Sequence, residues 1–157
     1  MTKQRVLFIC THNSARSQMA EAMLRTWAGD AFEVFSAGTE ANRVRSQAIA
    51  VMDEIGIDIS GQQSKTLDRY LNHPFDWVIT VCDTARQNCP VFPGVEQTAH
   101  WGVDDPTEAT GTDADRMDAF RRARDDLRNR IHLFMLTAQR ADLRQQPSAM
   151  GRTDRHN

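Results

Sequence analysis

Cys10 stands where an apolar run stops, with Arg16 and Ser17 a few residues on and hydroxyl and amide side chains between them: "CTHNSARS", residues 10–17. A cysteine acts as a nucleophile only as the thiolate, and positive potential around the sulfur is what lowers its pKa. A loop that leaves a strand and opens a helix supplies that potential. Several of its backbone N–H groups turn toward one point, and the helix dipole adds to them there. Thr11, His12, Asn13, Ser14, Ala15 and Arg16 would then form an oxyanion-binding loop. Arg16 offers a planar fork to two oxygens of a tetrahedral anion, and Ser17 can donate a hydrogen bond to the sulfur. A lone cysteine ending an apolar strand is usually a small core residue. The strand before this one and the helix after it favour an anion pocket with a nucleophile at its floor.

An acid over such a pocket would protonate a departing oxygen. "DDP" (104–106) offers Asp105, kept extended by Pro106, with Asp104 beside it and indistinguishable from it by residue type. By itself "DDPTEATGTD" reads more simply as a solvated acidic loop with a helix cap. Two further sulfurs, Cys82 and Cys89, lie seven residues apart in "CDTARQNCP". Either could be a core residue. As zinc ligands they fit poorly, because the spacing is irregular and His100 is the only obvious further donor.

Strands alternating with helices must position these groups. "RVLFIC" (5–10) is a continuous apolar run, as in a strand buried on both faces. Residues 17–28 repeat Met19 or Ala20, Met23, Leu24 and Trp27 at helical spacing, with Ser17 as a cap and Gly29 as a stop. "FEVFSAG" (32–38) is a second strand and "SQAIAVMDEIG" (46–56) a second helix. "KTLDRYL" (65–71) suits a short helix, "DWVITVC" (76–82) a third strand and "EQTAHWG" (96–102) a weaker fourth. A long helix spans about 112–139, with a stripe of Met117, Phe120, Ala123, Leu127, Ile131, Phe134 and Ala138. The pattern implies an α/β fold, three layers (α/β/α) around a four-stranded parallel sheet. Ligands bind such sheets at the carboxyl ends of strands, where Cys10 and Cys82 both sit.

The 157 residues suit one domain, expected over 1–143, with a polar tail over 144–157 outside the fold. With 40% hydrophobic and 25% charged residues and a net charge of −2, nothing draws the chain to nucleic acid or membrane. No apolar run approaches a membrane span, and a secretory signal of the usual kind is missing, so a cytoplasmic location is expected. Three cysteines do not describe a disulfide framework. No large apolar face is left over, which makes a monomer the expectation.

Cys-x5-Arg-Ser after the first strand resembles the low-molecular-weight protein tyrosine phosphatases. "CTHNSARSQMAE", together with "HWGVDDP" (100–106), resembles the thioredoxin-coupled arsenate reductase branch of that family over residues 5 to about 135. The resemblance implies Asp105 as the acid and no cofactor. It implies arsenate as substrate, with phosphate or sulfate as competing oxyanions. It also implies a relay in which Cys82 attacks Cys10, Cys89 attacks Cys82, and thioredoxin reduces the resulting Cys82–Cys89 disulfide. In a helix these two cysteines would have Cα atoms about 10 Å apart, whereas a disulfide needs about 4.4–6.8 Å. The bridge therefore implies a rearrangement between residues 82 and 95.

The alternative the family allows is a phosphatase working through a cysteinyl-phosphate. A non-catalytic phosphate-binding or redox-sensing module fits an intact Cys10, Arg16 and Asp105 set least well. Against a tyrosine-phosphate substrate, Thr107 stands where such phosphatases carry a tyrosine after Asp-Pro. A loop cysteine common in the family is Ala15 here. Some members bind potassium beside the loop. Asn13, Glu21 and Ser36 match that site, but Lys65 occupies the usual aspartate position. Lys65 is then either a tethered ammonium pairing with Glu21 or a solvent-exposed side chain.

Overall fold

A computed structural model describes residues 3–82, 95 and 97–144. Cys89 and the expected rearrangement around it lie outside the described residues, as does the tail beyond 144. Strands β1 (Gln4–Cys10), β2 (Phe32–Gly38), β3 (Trp77–Thr80) and β4 (Gln97–His100) form one parallel sheet in the order β2-β1-β3-β4. Val6, Leu7, Phe8 and Ile9 are fully buried, as an apolar run without alternation requires.

Helix α1 (Arg16–Ala28) lies on the face of β2 that presents Ser36, which hydrogen-bonds Glu21 of α1. Helix α3 (Asp113–Arg144) covers the same face, setting Phe134 against Phe32, Trp77 and Trp101. Alternation along β2 sends Phe35 to the opposite face. There it meets Tyr70 and Phe75, carried by a 3-10 turn at Leu67–Tyr70 and the chain after it. The α3 stripe is buried from Phe120 to Ala138, with Met117 at its edge.

Local differences from the sequence pattern have local causes. Helix α1 starts at Arg16 with Ala15 as its N-cap and no side-chain cap, because Ser17 faces Cys10 instead. Helix α2 (Ser46–Asp53) is shorter than its pattern, and Gly56 follows it at φ 79. The 65–71 segment condenses to the 3-10 turn, and the long helix runs five residues past Gln139.

Glu54, just past α2, fastens α3. Arg121 Nε donates to both its oxygens at 3.0 Å, and Arg124 Nη1 donates to Oε1 at 2.7 Å and to Val51 O at 2.8 Å. The two guanidinium groups bring its pKa down from 4.5 to about 2. A depressed carboxylate pKa gives stability that is present above the unfolded value and lost as pH falls through the folded one. In melting curves, Glu54→Gln should therefore lower Tm at pH 7, and the gap from wild type should close between pH 4.5 and pH 2. A gap independent of pH would exclude this ion-pair contribution.

Candidate active site

The loop from Cys10 to Ala15 is turned outside in. Its carbonyls point away from the pocket to partners. Cys10 O accepts from Thr39 N–H, and Thr11 O from Glu40 N–H and the Thr39 hydroxyl. His12 O accepts from the Ser64 hydroxyl, Asn13 O from Gln18 Nε2 and Ser14 O from Arg45 N–H. In a planar trans peptide the N–H points opposite to the C=O. The N–H groups of Thr11 through Ala15 therefore face the other way, and none of them donates to an acceptor among the described residues. Asn13 takes φ 49, a left-handed conformation that asparagine tolerates better than most residues. Gly38 lets β2 press against the loop: a Cβ there would lie 2.7 Å from Thr11 O and 2.8 Å from Asn13 N.

Side chains lock this shape. Asn13 Nδ2 donates to Ser17 Oγ at 2.8 Å and to Ser36 Oγ at 2.9 Å, while its Oδ1 accepts from Gln18 Nε2 and Lys65 N–H. Ser17 Oγ accepts from Asn13 and donates its own proton to Cys10. The Cys10 thiol, 3% exposed, is brought well below its ordinary pKa. The largest cause is a hydrogen bond from Cys82; burial opposes it, and Arg16 together with the Ser17 hydroxyl and N–H add to the lowering. Cys82 Sγ also lies 3.1 Å from Thr11 Oγ1. Residues 72 positions apart thus meet at the carboxyl ends of β1 and β3.

Arg16 is buried, with Nη1 donating to Val103 O at 2.8 Å and Val81 O at 3.3 Å. Its Nη2 lies 3.4 Å from Asp105 Oδ2. Arg16, Thr11, Cys82 and Asp105 line a cavity of about 450 Å³, with His12, Asp104 and Glu108 at its rim. Asp104 is exposed; Asp105 is the carboxylate that reaches Arg16. His12 Nδ1 lies 3.4 Å from Glu40 Oε2. His100 bonds Thr80 Oγ1 through Nδ1 at 2.8 Å. No group of three or more His, Cys, Asp or Glu that could hold a metal ion occurs among the described residues.

Lys65 is packed rather than solvent-exposed, its side chain 10% accessible. Its Nζ lies 3.7 Å from Glu21 Oε1 and donates to Gln63 O at 2.8 Å. Glu21 also accepts from the Ser36 hydroxyl and from Arg25 Nη1. With an ammonium and a guanidinium already on this carboxylate, the residues do not fit a resident potassium ion. Sequence reasoning missed Gln18, which is fully buried and bridges Asn13 to Gln63. A polar residue at a helical position gives no signal of such a bridge. Gly38 and Ser64 were missed for the same want of a local sign.

The profile of the low molecular weight phosphotyrosine protein phosphatase family matches residues 5–147. The chain belongs to this family. Within it, the arsenate reductase of Halalkalibacterium halodurans is 46% identical over 137 residues, 87% of this chain and 99% of that protein. A solved arsenate reductase in a phosphate-binding state superposes with a TM-score of 0.75 at 33% identity, covering 85% of this chain and 98% of its own. A thioredoxin-dependent arsenate reductase of Corynebacterium glutamicum superposes with a TM-score of 0.67 at 29% identity, covering 88% of this chain and 63% of its own. No helix among the described residues is long and apolar enough to cross a membrane.

Two outcomes follow for this family member. The 240 nm thiolate absorbance lost in Cys10→Ser should titrate well below the free-thiol value of about 8.5. Cys82→Ala, which removes the principal donor, should move that inflection upward; an unmoved inflection would show that Cys82 does not stabilise the Cys10 anion. Replacing sodium by potassium at constant ionic strength should leave Tm and turnover unchanged, whereas stimulation of several-fold would show that the cation is not supplied by Lys65.

Proposed function

We propose that this chain reduces arsenate to arsenite and is regenerated by thioredoxin. The observation that carries the proposal is a second sulfur at the oxyanion loop: Cys82 Sγ lies 3.1 Å from Thr11 Oγ1, lines the cavity with Arg16 and Asp105, and lowers the pKa of Cys10. Hydrolysis of a phosphate ester has no use for a second sulfur at that position, whereas reduction requires one.

Arsenate binds with its oxygens on the N–H groups of residues 11–15 and on Arg16. The Cys10 thiolate attacks arsenic, forming an S–As bond. One As–O bond breaks, and the oxygen leaves as water with a proton from Asp105. Cys82 gives its proton to the Asp105 carboxylate left by the first step, on the same cavity, and as thiolate attacks the Cys10 sulfur. An S–S bond forms and the S–As bond breaks, its electron pair staying on arsenic. Arsenic falls from the +5 to the +3 state while two thiols become one disulfide, and arsenite departs. Cys89 attacks Cys82, releasing Cys10 and leaving Cys82–Cys89. A dithiol reductant of the thioredoxin type restores both by exchange. Phosphate and sulfate bind the same donors and accept no electrons, so they compete without turning over.

A second reading has its own support. Cys10, Arg16 and Asp105 suffice for phosphoryl transfer through a cysteinyl-phosphate, so a weak aryl phosphatase activity accompanies the reductase. The decisive assay is arsenite formation coupled to thioredoxin, thioredoxin reductase and NADPH. Wild type should turn over many times. Cys89→Ser should stop after about one arsenite per chain, yet keep its aryl phosphatase rate, because only the regeneration steps need that sulfur. Absence of arsenite from the wild type, with phosphatase activity intact, would assign the chain to the hydrolases instead.

A further inference from the structure

Asp105 does not hang free over the pocket. It caps the 3-10 turn Pro106–Glu108, and its two carboxylate oxygens have different surroundings. Oδ1 accepts from Thr107 N–H at 3.0 Å and from the Thr107 hydroxyl at 2.7 Å. Oδ2 lies 3.4 Å from Arg16 Nη2. An oxygen that already accepts from two donors has little capacity left to carry a proton. The acid form of Asp105 must then hold its proton on Oδ2, the oxygen next to Arg16, where the bound oxyanion is gripped.

We infer that Thr107 is a positioning residue for the acid step: by occupying Oδ1 with both its donors, it assigns the transferable proton to Oδ2 and fixes the carboxyl plane. The inference rests on the reductase reading above, which makes Asp105 the group that protonates the departing oxygen. Thr107 also accounts for a feature of the chain that the reaction otherwise leaves idle. Where the related phosphatases carry an aromatic side chain to hold an aryl substrate, this chain carries a short hydroxyl turned onto its own acid. A small inorganic oxyanion needs no aromatic wall.

The bland alternative is that Thr107 merely completes a turn. The two roles separate when Asp105 is replaced by Asn. An asparagine Oδ1 accepts the same bonds, so the turn survives, but the amide has no acidic proton to assign. The test is the rate of arsenite release in the first turnover of reduced enzyme, measured by rapid quench without reductant, for Thr107→Val, Thr107→Ser, Asp105→Asn and the Asn–Val pair. General acid catalysis contributes roughly 100- to 10,000-fold, and Thr107→Val should forfeit about tenfold of it with KM for arsenate within about twofold. Thr107→Ser, which keeps both donors, should restore most of the rate. In the Asp105→Asn background Thr107→Val should cost nothing further.

The same loss with Asn as with Asp at 105, or a wild-type rate in Thr107→Val, would overturn the inference. Phenyl phosphate, whose poor leaving group needs the acid, gives the same comparison through the phosphatase reaction. If wild type made no arsenite, the reductase reading would fall, and the phenyl phosphate series would judge Thr107 alone.

Discussion

Everything the site can do depends on which way five peptide units face. With the carbonyls of residues 10–14 directed outward, the amides joined to them have no choice but to look inward. Burying N–H groups without acceptors costs free energy, and here the cost is carried by partners outside the loop. The residues beyond Gly38, the Ser64 hydroxyl, the Gln18 amide and Arg45 at the start of α2 all donate to the loop carbonyls and hold them outward. The donors are thus in position before any anion arrives. Such preorganisation is what makes an amide cradle effective, since no dipoles have to be reoriented as the ligand binds.

The negative charge on Cys10 is placed against burial, which opposes it, so the donors around it must exceed that penalty. One of those donors is itself a thiol. Cys82 first serves the Cys10 anion as a hydrogen-bond donor. When Cys10 becomes bonded to arsenic, that anion no longer exists and Cys82 has no acceptor to serve. The electron pair that carried the charge now forms the S–As bond, so Cys82 becomes a nucleophile by releasing its own proton into the cavity it lines with the Asp105 carboxylate. In the proposed reaction the stabiliser of the first step becomes the nucleophile of the next.

How much of this could be read beforehand differs residue by residue. Cys10, Arg16 and Ser17 were legible because their spacing falls on a strand–loop–helix junction, a context whose electrostatics follow from backbone geometry alone. The long helix was legible because its apolar period persists from Phe120 to Ala138. Ser17 carried two readings, a donor to the sulfur and a helix cap; the structure keeps the first, and Ala15 takes the cap position. The packed state of Lys65 was open for a related reason: a lysine in a polar stretch carries no mark of the carboxylate that awaits it from α1. Thr107 did carry a local sign. Asp-Pro-Thr places a carboxylate, a fixed φ and a donor two residues on, the sequence of an Asx turn.

The strand order explains why so few residues suffice. In the sequence β2-β1-β3-β4, strand β1 lies between β2 and β3, and Ile9 pairs in register with Thr80. One step beyond Ile9 is Cys10; two steps beyond Thr80 is Cys82. Trp101 N–H then bonds Thr80 O, so the chain leaving β4 runs back over the same end of the sheet. It passes Val103, whose carbonyl anchors Arg16, and reaches Asp105. Each strand therefore delivers one group at its carboxyl end: the Cys10 sulfur from β1, the loop brace from β2, the Cys82 sulfur from β3 and the Asp105 carboxylate from β4. A parallel sheet brings all four ends to one side by construction, and register between neighbours does the rest. Cys82 lies two residues past the end of β3, at a bend, so the pleat of the sheet does not set its direction. Strand pairing brings the ends of β1 and β3 side by side, and the bend after Thr80 turns the second sulfur toward the first.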